Sequence, residues 1–164
     1  MTEIEILKDL FRRARERTLA LLQKIEAEPD PQAVLSWRPG PGRAHVAWQL
    51  MHVGLTEELA ATERLFPGVK AAWPDLVERF RGGSTPDENI PTAAQIRDIL
   101  AQSREHLDAT MSKVGGDLDQ VPPPLKERNW KVRDLLATYL WHEGHHQGQA
   151  HLTFNLYKAS RSRT

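Results

Sequence analysis

His142, Glu143, His145 and His146 stand close together in LWHEGHHQGQAHL, the stretch from Leu140 to Leu152. Within it HEGHH has the H-E-x-x-H form of zinc metalloproteases, in which two histidines one helical turn apart bind the ion and the glutamate acts as base. At 100° per residue His142 and His146 share one helix face, the i, i+4 spacing that lets two imidazoles reach one cation. His145, three residues from His142, leans toward that face. His151 lies about 180° from His142 and is expected in solvent.

A protease of this kind also needs a third ligand further along the chain. No Asp or Glu follows Glu143, and Gln149 and Leu152 stand where the longer H-E-x-x-H-x-x-G-x-x-H pattern requires Gly and His. Gly148 and His151 are each one residue out of register with that pattern, a 100° error on a helix. The protease reading is therefore set aside, and the third ligand must come from upstream.

His45, His52 and His106 are the upstream histidines. His52 is the best placed, because it sits mid-helix among Leu50, Met51, Val53 and Leu55, where a neutral imidazole needs a hydrogen-bond partner or a metal. His45, seven residues earlier and about 10 Å away along the axis, is too far for the same ion but could line the approach to it. His106 reads as an edge residue. The chain has no cysteine, so disulfides and thiolate ligands are excluded and any metal is held by nitrogen and oxygen donors.

Three neutral imidazoles leave a divalent ion its full charge and at least one open position. Water there would be acidified toward pH 7, or a substrate thiolate could take its place. Two enzymatic readings follow: metal-dependent hydrolysis, and transfer or isomerisation with a small thiol cofactor. The competing reading is a non-catalytic metal-binding or interaction protein in which the ion clamps two helices. Glu143, about 100° from His142 on the helix wheel, reads as a partner behind the ligands or between helices rather than as a base. Thr56, one turn beyond His52, and Gln149, two turns beyond His142, are candidate polar groups of a pocket. Trp37, Trp48, Trp73, Trp130 and Trp141 could wall that pocket, with core packing the simpler role for most of them.

The elements that must position these residues read as helices. Thr2 with Glu5 forms a capping box for a first helix over about 3–27, whose arginines Arg12, Arg13, Arg15 and Arg17 read as a solvated face. PDPQAVLSWRPGPG, with four prolines and two glycines, reads as a connection. A second helix follows over about 43–66. From Pro67 to Pro91 there are four more prolines and three glycines, with one short helix predicted over 74–80. Thr92 and Gln95 open a third helix with the stripe Ile96, Ile99, Leu100, Leu107, Met111 and Val114, stopped by Gly115 and Gly116. After Pro122–Pro124, Asn129 can cap a fourth helix that runs past Phe154, and the SRSRT end is expected to fray.

Four amphipathic helices without strand-like alternation predict an all-α, four-helix bundle in a single domain over 1–164. A helix of about 20 residues is about 30 Å long, and about nine extended residues can retrace it. The long second connection therefore lets helices two and three run parallel.

Two stretches carry a family resemblance: SWRPGPGRAHVAWQLMHVGLTEEL, with its turn, Trp and mid-helix His, and NWKVRDLLATYLWHEGHHQGQ, with a H-x-x-x-H pair leading into GQ. In this order they resemble the DinB/YfiT-like superfamily. The resemblance implies an up-down-down-up bundle, a divalent metal on His52, His142 and His146, and often a homodimer; of the ions a histidine site accepts, zinc or nickel is expected. It also implies a small thiol as cofactor in some relatives. One departure is HQGQ where many relatives look like HRGQ. Gln147 can donate hydrogen bonds but brings no charge to an anionic ligand.

With 22 basic and 22 acidic residues and a pI near 7.1, the whole chain has no field to gather nucleic acid or an anionic membrane. No apolar run approaches the roughly 18 residues that cross a bilayer. The expectation is a cytoplasmic protein acting on a small molecule.

Overall fold

The computed structural model describes residues 1–162 and is all-helical among them. α1 spans Glu3–Glu26 and starts on the capping box, with Thr2 and Glu5 each accepting from the other's backbone N–H. The prolines of the following connection do not keep it irregular. Pro31 sits in the first turn of a short α2, Pro31–Ser36, where its missing N–H costs nothing, and Asp30 caps that turn. α2 buries Val34 and Leu35 in the core.

α3, Val46–Leu59, begins three residues later than the sequence suggests, because the His45 ring accepts from the Trp48 backbone N–H and fixes the cap there. It continues as a π-helical turn, Ala60–Leu65. Nearly every side of α3 is buried, so it is the central element of the fold. Gly54 explains how closely it approaches its neighbour α5: a methyl group there would lie 2.9 Å from Ile99 Cγ2 and 3.2 Å from Ser103 Oγ.

α4, Pro74–Phe80, is the short helix expected in the crossover. α5, Ala93–Val114, opens on the Thr92–Gln95 capping box and ends at Gly115, whose φ of 72° suits a residue without a Cβ. A 3₁₀-helix covers Pro123–Arg128, and α6 covers Val132–Arg161. Asn129 does not cap α6. It closes the 3₁₀-helix in the left-handed conformation at φ 51°, and Lys131 with Asp134 opens α6 instead. α6 runs through the first residues of SRSRT, and the last two residues of that stretch lie outside the described ones.

α3 packs against α5 and α6, and α1 packs against the same two. Lys8 reaches Ser112 while Glu26 reaches Arg97, so pairings along α1 ascend as those along α5 descend. Between α3 and α5 they ascend together, with Gly54 at Ile99 and Glu57 at Arg104.

The apolar core is split into two clusters. Leu22, Leu50, Leu55, Ile96 and Leu100 belong to one, and Phe11, Ala60, Leu107, Met111 and Leu136 belong to the other. Between them each long helix contributes a buried charge. Arg15 donates to Glu143 at 2.7 Å and to Glu57 at 2.8 Å, and Arg104 donates to Glu143 at 2.6 Å and to Glu57. Arg15 is therefore not on the solvated face expected for it. It occupies the Phe11–Thr18–Leu22 stripe and is only 5% exposed. Two cations and two anions interleaved in this way, with the Phe11 and Leu100 carbonyls taking the spare guanidinium protons, offset the desolvation that a lone buried charge would suffer. Among the described residues no helix is long and apolar enough to cross a membrane.

Candidate metal centre

α3 and α6 bring three imidazoles together. His52 comes from the middle of α3, and His142 and His146 come from successive turns of α6. One nitrogen from each ring lies within 4.8 Å of the other two, and Nε2 of His142 is 3.0 Å from Nε2 of His52. These three residues can hold a metal ion.

The outward bonds of the rings decide which nitrogens face inward. His52 Nδ1 is 2.6 Å from the Phe80 carbonyl oxygen. A carbonyl only accepts, so Nδ1 carries the proton and Nε2 presents its lone pair to the cluster. His146 Nδ1 likewise donates to Gln49 Oε1, which frees its Nε2. Bonds of this kind hold metal-binding rings in one tautomer and one orientation. Trp48 adds packing: its indole stacks on the His52 ring at 4.6 Å between centroids and 19° between planes, and its N–H donates to Ser84.

Burial favours the neutral, ligating form of all three rings. Burial, then the His52 and His145 rings beside it, pushes His142 down to about 4. Burial, then His142 and His52, pushes His146 down to about 3. Burial also lowers His52, against the opposing pull of the Phe80 carbonyl. Neutral nitrogen donors, with the tautomers of His52 and His146 fixed by their outward bonds, suit a divalent ion.

The other residues singled out in the sequence fall into three places. Glu143 turns away from the histidines into the buried charge layer. Burial pushes its carboxyl up, but Arg15 and Arg104 outweigh that and hold it below the usual carboxylate range. Thr56 Oγ1 lies 3.5 Å from His52 Nδ1, on the anchored side of the ring. His145 and Gln149 are on the open side, hydrogen-bonded to each other at 2.8 Å, with the exposed Trp141 stacked on His145.

His45 does not line the approach. It is buried at the α3 cap, between the Trp48 N–H and the Asp87 carbonyl. His106 is half-buried and lies 2.8 Å from the fully buried Glu58, which also accepts from the Ala72 backbone. His151 is exposed. Trp37 packs edge-on against Tyr157, Trp73 packs on the core, and Trp130 carries Arg128 over its ring.

Sequence reasoning missed Gln49 and the Phe80 carbonyl. Gln49 carries one usable signal, since a polar residue one helical turn before His52, in a helix buried on nearly all sides, needs an internal partner. The carbonyl carries none.

The sequence profile of the DinB superfamily matches residues 10–150. A comparison with curated proteins gives no match.

Proposed function

The chain belongs to the DinB superfamily, and from that premise and the histidine geometry we propose that it binds a divalent metal and acts on a small molecule, as a hydrolase or as a thiol-dependent transferase. The carrying observation is the convergence of three neutral imidazoles from two helices, two of them tied by their far nitrogens so that Nε2 faces inward. An ion held by His52, His142 and His146 would supply positive charge to an oxygen or sulfur atom presented at its remaining position.

The protein's own groups limit the rest of the chemistry. Glu143 is committed to two guanidinium groups and is not free to take a proton. His145 is exposed, with its ring 5.1 Å from that of His146 between centroids. Trp48 covers one face of His52, and a methyl group at Gly82 would stand 3.9 Å from its Cε1, so these two residues narrow access from the α3–α4 side. An up-down-down-up winding belongs to the same reading, supported by the order of the pairings between α1, α3 and α5.

The test is elemental analysis of protein purified without a polyhistidine tag, then a screen of the metal-loaded form against esters, amides and small thiol conjugates. One equivalent of zinc or nickel, lost in His52→Ala and His142→Ala, with turnover that chelation abolishes, is the expected result. Stoichiometric metal and strong stabilisation without turnover would favour the non-catalytic clamp. Absence of metal binding would remove both readings.

A further inference from the structure

A groove of about 590 Å³ runs along α6 beside the histidine cluster, between Gln149 and Leu156 on one wall and the Pro39–Ala44 loop with Gln49 on the other. One of its residues, Gln49, bonds a histidine of the cluster, His146, and another, Gln149, bonds the neighbouring His145. At that end the groove therefore borders the cluster on the Nδ1 side of His146.

His52 meets His142 while Gln49 meets His146, so α3 and α6 run antiparallel and the chain before Gln49 leads away from the cluster, toward Leu152 and Leu156. Among the described residues Arg43 is the one charged residue that lines the groove, and none of them brings a carboxylate to it. No hydrogen bond or ion pair engages its guanidinium among the described residues, whereas Arg38, five residues earlier, is bonded to Glu88 and to two carbonyls. Between the two ends Leu152 and Leu156 are 61% and 43% exposed, unusual for leucines on a packed helix. Thr153 beside them has its hydroxyl turned back to the Gln149 carbonyl and demands nothing of a ligand. The distance along α6 from Gln149 to Leu156 is about 10 Å at 1.5 Å per residue.

We propose that this groove binds an elongated amphipathic small molecule, with its carboxylate on Arg43, its aliphatic body over Leu152 and Leu156, and its far end delivered to the histidine cluster. The inference rests on the metal-centre reading only for what happens at that far end. Arg43 supplies the fixed positive charge that Gln147 does not, from a different element and at the other end of the ligand.

Octanoate, a linear aliphatic carboxylate, is the probe, with octanol as its neutral counterpart. On metal-free protein, followed by calorimetry, Arg43→Gln is expected to weaken octanoate about tenfold, the loss of one charge-assisted contact, and to leave octanol unchanged. Leu152→Ser is expected to weaken both. Arg43 and Leu152 are exposed, so neither variant disturbs the core, and thermal melts check this. On Co(II)-loaded protein, with the Zn(II) form as control, paramagnetic broadening should be greater at the methyl end of octanoate than at the carbon beside the carboxylate.

Equal octanoate affinity in wild type and Arg43→Gln, or no binding at all, would overturn the proposal. So would the opposite broadening gradient, which places the carboxylate on the ion. If the protein takes up no Co(II), the metal-centre reading falls, while the Arg43→Gln comparison on metal-free protein still decides the groove.

Discussion

At the scale of single residues, the histidine cluster depends on groups that never meet the ion. Gln49 is the sharpest case, because it fixes the tautomer of His146 from the far side of the ring. Gln49→Ala should therefore weaken metal binding by about 10- to 100-fold with the fold retained. Competition with a chromogenic chelator reads the affinity, and an unchanged value would deny Gln49 its positioning role.

The same burial that keeps the rings neutral makes the metal-free protein acid-sensitive. In the unfolded chain His142 and His146 titrate near 6.5, whereas the folded protein resists protonation down to about 4 and about 3. Below pH 6.5 the unfolded state thus binds more protons, and stability falls as pH drops from about 6.5 toward 3. Thermal melts of metal-free protein across that window should show the decline. His142→Ala/His146→Ala should flatten it, and an equal slope in both proteins would assign the acid sensitivity elsewhere.

At the scale of helices, two close approaches set the geometry of the site. α3 meets α5 through Gly54, where an added methyl has Ile99 and Ser103 in its way. Gly54→Ala should destabilise by about 1–3 kcal/mol through overpacking, although alanine favours the helix. Chemical denaturation checks the sign, and a stabilised variant would mean that the α3–α5 contact relaxes freely.

α6 meets α1 and α5 through Glu143, which is 1% exposed and is linked to Glu57 of α3 by the two arginines they share. Glu143→Gln leaves Arg15 and Arg104 sharing one carboxylate where they had two, and should destabilise by roughly 3–5 kcal/mol. That loss should appear in denaturation without selective loss of metal affinity. If instead metal-dependent turnover vanished at full stability, the glutamate of HEGHH would be acting at the centre.

At the scale of the whole molecule, the candidate ligands belong to α3 and α6, which come together only in the folded chain. An ion bound there stabilises the native state by mass action, by about 2.7 kcal/mol at a free concentration 100 times its dissociation constant. Chelation should lower the melting temperature of the metal-loaded protein, and His52→Ala should be indifferent to chelator. Equal shifts in the two proteins would mean that the ion sits elsewhere. The groove beside the centre is also a property of the assembly. One wall is the α2–α3 loop and the other is the C-terminal half of α6, far apart in the chain.

The sequence alone determined that the chain is helical, where α1, α4 and α5 begin, and that His142 and His146 share a face. These follow from caps, prolines and the 100° step of a helix, all local. It also singled out His52, since an imidazole amid apolar residues needs a partner. Only the tertiary structure decided who that partner is, and it overturned the solvated reading of Arg15. Along one helix a charge on an apolar stripe looks like an interruption. Arg15, Glu57, Arg104 and Glu143 lie on four different helices, and the energy that makes their burial tolerable exists only between them. The same holds for the Phe80 carbonyl, because every residue has one and only the packing shows which of them meets a histidine.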